Sequence, residues 1–227
     1  MGIDVYKQKV EELWGKEFAP EQSYEITSNI DYFGWVKDEN GLNHFTCFIE
    51  NGRVEDTPDL PQKTGFKKIC QYMNKVQSGH FRLTGNQHVL ICGIEDQHLE
   101  DIKSLMAKYK LDNTSFSGLR LSSAACVALP TCGLAMAESE RYLPVLISKL
   151  EEALEEYGLR HDSVVMRMTG CPNGCARPWL AEVACVGKAP GTYNLMLGGG
   201  YYGQRINKLY RSSIKEEEIL DTLKPLF

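Results

Sequence analysis

No run of about 18 apolar residues occurs in this sequence, so no membrane-spanning helix is expected. The opening stretch, residues 1–10, mixes charges and lacks the apolar core of a signal peptide. Tyr6 stands where a myristoylation signal would place Ser or Thr. A cytoplasmic, reducing setting is therefore the expectation. Positive charge is scarce: 25 Lys and Arg against 30 Asp and Glu leave a net charge of -5. That argues against nucleic acid as the main partner, but not against a local site for a small anion. Histidine is scarce too. His44, His80, His88, His98 and His161 show no ligand spacing, and His88 at a strand start reads as structural. The dinucleotide fingerprint G-x-G-x-x-G is missing. Gly198-Gly199-Gly200 reads first as a turn, with close backbone approach to a ligand as the sharper alternative.

Cysteine is what the chain has in quantity. In a reducing compartment eight cysteines read as ligands and core residues rather than disulfides. Four of them form two short pairs, Cys126-Val-Ala-Leu-Pro-Thr-Cys132 and Thr169-Gly-Cys171-Pro-Asn-Gly-Cys175. Thiolate serves both zinc and iron–sulfur clusters. Zinc knuckles usually leave two residues between cysteines; here five and three intervene. The spread suits a cluster better than one tetrahedral ion, with zinc and structural or redox thiols as the other readings. Cys47 and Cys70 on apolar faces, and Cys92 and Cys185 in strand-like runs, read as core.

The chain divides into three stretches. Residues 1–30 hold a helical period over 4–18, stopped by Pro20, and then an extended linker. Residues 31–111 read as a compact α+β unit. Phe45, Cys47 and Ile49 alternate with polar neighbours, Asn51-Gly52 gives a hairpin signal, and helices are expected over 64–76 and 98–109. Residues 112–227 carry both cysteine pairs. A helix is expected after Gly133, an amphipathic helix over 144–157 with Val145, Ile147, Leu150 and Leu154 inward, strands over 164–168 and 180–187, and a last helix over 214–223. The acidic run Glu151, Glu152, Glu155, Glu156 is a solvated face. The fold class is α+β, with mixed and antiparallel sheets flanked by helices.

The two cysteine pairs, with Ala135-Met-Ala-Glu138, resemble the cluster signature of the assimilatory sulfite and nitrite reductase hemoproteins. Gly34-Trp-Val-Lys37, Phe48-Ile-Glu-Asn-Gly52, Phe81-Arg-Leu-Thr84 with Asn86-Gln87, Ala181-Glu-Val183, Gly187-Lys-Ala-Pro-Gly191 and Tyr193-Asn-Leu195 extend the resemblance over nearly the whole chain. It implies the family's ferredoxin-like half-repeat over 31–111 and a siroheme and iron–sulfur domain over 112–227. It implies a 4Fe–4S cluster on Cys126, Cys132, Cys171 and Cys175, with Cys175 also the axial thiolate of siroheme. Thr84, Asn86, Gln87, Asn173, Gly198 and Gly199 resemble positions beside the cofactor.

The implied activity is the six-electron reduction of sulfite to sulfide, or of nitrite in a related enzyme. A flavoprotein or ferredoxin would donate the electrons. The family's subunit is built from two related halves, and this chain resembles the C-terminal one. The implied partner is an N-terminal-half polypeptide or a second copy of this chain. A catalytically incomplete assembly module is the rival reading. Arg82, Arg120, Arg167, Arg177 and Arg205 read as surface or structural, with Arg177 the first to test because it follows Cys175 by two residues.

Overall fold

The computed structural model describes residues 2–112 and 114–226. The first helix, α1 (Ile3–Trp14), buries none of its residues. Gly15 ends it in the left-handed conformation, φ 73°, with its N–H on the Glu11 carbonyl, four residues sooner than the periodicity suggested.

A four-stranded antiparallel sheet follows, built from β1 (Gly34–Lys37), β2 (Asn43–Cys47), β3 (His80–Leu83) and β4 (Val89–Ile94) in the order β1-β2-β4-β3. The alternation in β2 puts Phe45 and Cys47 into the core, and Ile49 follows them in. Two helices, α2 (Gln62–Val76) and α3 (Asp96–Lys108), pack on the sheet and on each other through Ile69, Met73, Ile102 and Met106. Two expectations fail here. Asn51-Gly52 is not a hairpin turn but part of a short 3-10 turn over Glu50–Gly52. Strand β2 already has β1 and β4 on its two edges, so no edge is left for a returning strand. Cys70 is exposed rather than core, because it lies one residue, about 100°, round the helix from buried Ile69.

The second sheet has five strands in the order β5-β6-β7-β8-β9: β5 (Ala124–Ala125), β6 (Met166–Thr169), β7 (Val183–Ala189), β8 (Thr192–Leu197) and β9 (Lys208–Lys215). The first two pairings are parallel and the last two antiparallel. A short helix, α4 (Gly118–Leu121), precedes it, and α5 (Leu143–Glu156) and α6 (Glu216–Leu223) help build its core. Helix α5 buries Leu143, Leu146, Ile147, Leu150, Ala153 and Leu154, whereas Val145 points outward. The helix expected after Gly133 does not form. The N–H groups of Met136 and Ala137 donate across the fold to the Gly170 carbonyl, at 2.7 and 2.9 Å, instead of up a helix. The last helix starts at Glu216, and buried Ile214 belongs to β9.

Candidate functional site

Both cysteine pairs sit at the same end of adjacent strands. Strands β5 and β6 are parallel, with Ala124 opposite Arg167 and Ala125 opposite Met168, so Cys126 and the Thr169-Gly170-Cys171 segment leave the sheet side by side. The Cys126 N–H donates to the Met168 carbonyl at 3.1 Å, and the Gly170 N–H donates to the Cys126 sulfur at 3.3 Å. The Cys132 N–H donates to the Ala128 carbonyl at 2.7 Å, closing the first loop, whose far leg is held on Gly170 through Met136 and Ala137. Gly170 is thus the point where the two segments meet. A side chain there would lie 2.6 Å from the Ala128 Cβ and 2.7 Å from the Ala137 carbonyl oxygen. Beneath it, a Cβ on Gly187 would lie 2.4 Å from the Gly170 oxygen.

The second pair is carried by turns rather than by a helix start. The Gly174 N–H reaches the Cys171 carbonyl at 3.5 Å, and Arg177, left-handed at φ 57°, donates its N–H to the Gly174 carbonyl at 2.8 Å. Cys171 is buried, Cys126 and Cys132 are half-buried, and Cys175 is exposed together with Asn173. Val127, Leu134, Met136 and Trp179, on or next to the same segments, are exposed apolar residues. All eight cysteines are free thiols. Among the described residues no three His, Cys, Asp or Glu side chains converge as ligands of one metal ion. A zinc ion, about 2.3 Å from each sulfur, needs its ligands drawn onto one point. A cluster instead receives its thiolates at separate irons, with backbone N–H groups on the sulfurs to tune it. The donor set, the facing segments and the N–H on Cys126 fit the cluster.

Thr84, Asn86 and Gln87 lie in the β3–β4 turn and bond within the chain. The Thr84 hydroxyl donates to Asp31 Oδ2 at 2.5 Å and Asn86 Nδ2 donates to Asp31 Oδ1 at 3.1 Å. Gln87 Nε2 donates to the Ala125 carbonyl at 2.8 Å. Arg177 Nη2 donates to the Gly85 carbonyl at 3.0 Å and to Asn86 Oδ1 at 2.6 Å. Gly199 has a reason of its own to be glycine: a Cβ there would lie 2.0 Å from the Ala181 carbonyl oxygen, while one on Gly198 would meet open space. Arg167 is buried, and its Nη1 donates to the Ser122 carbonyl at 2.5 Å. Burial, with the nearby Arg177 charge, lowers its pKa to about 10. Sequence reasoning missed Gly170, Asp31 and the Ala125 carbonyl. Gly170 stood inside a quoted motif; the other two carry no local signal.

Residues 36–109 match the nitrite/sulfite reductase ferredoxin-like half domain. Over its whole length the chain is similar to sulfite reductase beta subunits and hemoproteins. It is 71% identical over its full length to the sulfite reductase [NADPH] subunit beta of Saccharomyces cerevisiae, of which it covers 16%. It is 52% identical over 223 residues to the sulfite reductase [NADPH] hemoprotein beta-component of Nitrobacter winogradskyi, of which it covers 38%. The fold superimposes on the Mycobacterium tuberculosis NirA protein with a TM-score of 0.75 at 23% identity, covering 98% of this chain and 42% of that one. The chain therefore spans well under half of the relatives it matches.

Proposed function

We propose that this chain is the part of a sulfite reductase hemoprotein that carries a 4Fe–4S cluster on Cys126, Cys132, Cys171 and Cys175, with Cys175 also meeting siroheme. The observation that carries the reading is the meeting of two thiol-bearing segments at Gly170, with its N–H on the Cys126 sulfur. When bound, the two groups would supply the electron transfer and the iron that six-electron reduction of sulfite requires. The protein's own part is to hold the thiols, and to leave Cys175 exposed with apolar side chains on the neighbouring segments, as a flat macrocycle requires. Asn173, exposed between the last two thiols, is assigned to the same surface, as is Gly198.

Sulfite is preferred to nitrite because the high-identity relatives are named sulfite reductases. Their names also specify NADPH, which favours a flavoprotein donor over a ferredoxin. The short span against those relatives favours a second reading, in which this chain completes its site only with an N-terminal-half polypeptide or another copy. The setting assigned is the cytoplasm, where the thiols stay reduced.

The test is anaerobic reconstitution with ferrous iron and sulfide, followed by siroheme. The expected result is four irons per chain with broad cluster absorbance, then siroheme bands that Cys175→Ser abolishes. Siroheme bands that appear only after an N-terminal half is added would establish the second reading. A parent chain that takes up no iron under either condition would overturn both.

A further inference from the structure

Gln87 is an unusual residue to find in its conformation. Its φ is 72°, a left-handed backbone that few non-glycine residues adopt. The turn that carries it closes tightly: the Thr84 N–H donates to the His88 carbonyl at 3.0 Å, and the Gln87 N–H to the Thr84 carbonyl at 3.3 Å. The Thr84 hydroxyl also accepts from the N–H groups of Asn86 and His88 at 3.1 and 3.2 Å. The turn is gripped from outside by Asp31 and, across the domain junction, by Arg177.

The Gln87 carboxamide then reaches out of its own sheet. Its Nε2 donates to the carbonyl of Ala125, the residue before Cys126, while its Oε1 is buried with no hydrogen-bond partner among the described residues. An unpaired buried carbonyl is costly, and a methionine of similar size would fill the space without that cost. What needs glutamine here is the Ala125 carbonyl. Two side-chain contacts from one turn thus bracket the thiols: Gln87 holds the chain one residue before Cys126, and Asn86 holds Arg177, two residues after Cys175.

We infer that the 84–87 turn is a positioning element in which Gln87 and Asn86 of the ferredoxin-like half fix the two cysteine segments of the other half relative to each other. The inference rests on the proposed cluster only for its purpose. Its geometry stands on the Gln87–Ala125 and Asn86–Arg177 contacts.

The first test is hydrogen exchange on the full chain without iron. Gln87→Met should speed exchange at the Cys126, Met136 and Ala137 amides by roughly tenfold, about the loss of one hydrogen bond, and leave α5 and β8 unchanged. Unchanged exchange at those three amides would overturn the inference. The second test uses the chain reconstituted with ferrous iron and sulfide and compares Gln87→Glu and Gln87→Met with the parent at pH 8. An ionised carboxylate cannot donate to the Ala125 carbonyl and repels it. The glutamate variant should therefore lose iron to a chelator faster than the methionine variant, and both faster than the parent. Equal rates for all three would overturn the inference. A parent chain that binds no iron would overturn the proposed function, and the exchange measurement would still decide the role of Gln87.

Discussion

Gly170 has no room for a side chain, and each contact that excludes one belongs to a cysteine segment. Its N–H is on the Cys126 sulfur and its carbonyl takes the N–H groups of Met136 and Ala137. A methyl group would press on the Ala128 Cβ and on the Ala137 carbonyl. Backbone yields less easily than a side chain, so Gly170→Ala is expected to cost about 3 kcal/mol, the upper end for overpacking. Urea unfolding reads the loss; a variant as stable as the parent would show that the two loops do not meet as described. His88 offers a test by pH. Burial lowers its pKa to about 4, with the Asp31 charge working the other way and Arg167 adding to the depression. Its Nδ1 accepts the Ile49 N–H at 3.1 Å, which needs a neutral ring. The folded pKa lies below the unfolded value of about 6.5, so as pH falls the unfolded chain takes the proton first. Stability from this residue is whole above about pH 6.5, drains between there and about pH 4, and is level below; the loss is at most about 3 kcal/mol. His88→Gln keeps an acceptor that does not titrate. Its unfolding free energy should fall less than the parent's between pH 7 and pH 4.5, and parallel curves would remove His88 as the source.

At the scale of elements, the two sheets are joined by a few polar contacts, of which Arg120 is the densest. From α4 it donates twice to Glu151 on α5, through Nε at 3.0 Å and Nη2 at 2.6 Å, and also to Ser148 and to Glu50 in the 3-10 turn after β2. Burial opposes its charge, but the bonds and charges of Glu151 and Glu50 prevail and raise its pKa. Glu151, expected on a solvated face, is instead mostly buried against Arg120, while Glu152, Glu155 and Glu156 are exposed. Arg120→Met takes away the cationic partner of Glu151, leaves only the Ser117 hydroxyl on it, and is expected to cost about 3 kcal/mol. Arg120→Lys keeps the charge without the planar fork and should cost less. Chemical denaturation of both variants checks the order, and a methionine variant no weaker than the lysine one would mean the fork is idle. Elements with a full apolar period were legible beforehand: β2, α2, α3 and α5 lie within a few residues of their expected bounds. The segment after Gly133 was not. Its alanines and leucine favour a helix locally, yet its amides are taken by a carbonyl more than thirty residues away. Strand β9 escaped for the opposite reason: as an edge strand with only Ile214 buried, it has no alternation to read.

For the whole molecule, the two thiol-bearing segments were legible because thiols at short spacing are a chemical signature, while the Gln87–Ala125 contact was not, because those residues are brought together only by folding. The same distinction applies to α1. Its period announced a helix, and nothing in the described structure buries it: Ile3, Leu13 and Trp14 are exposed, and the Phe18 ring beyond it packs tilted against Trp14, centroids 5.7 Å apart, rather than on either core. A helix of 12 residues without a packed face is marginal in water. Removing residues 2–18 should therefore leave the melting temperature of the chain within about 1 °C of the parent, since no buried apolar area is lost. It should also reduce far-ultraviolet helical signal by less than a full 12-residue helix would carry. Under the second of the two proposed readings, the exposed stripe on α1 would be a surface for an N-terminal half. The deletion should then weaken association with that half while leaving the isolated chain's stability untouched. A fall of several degrees in the chain alone would place the helix on one of the two cores instead, and would take the stripe out of the interface.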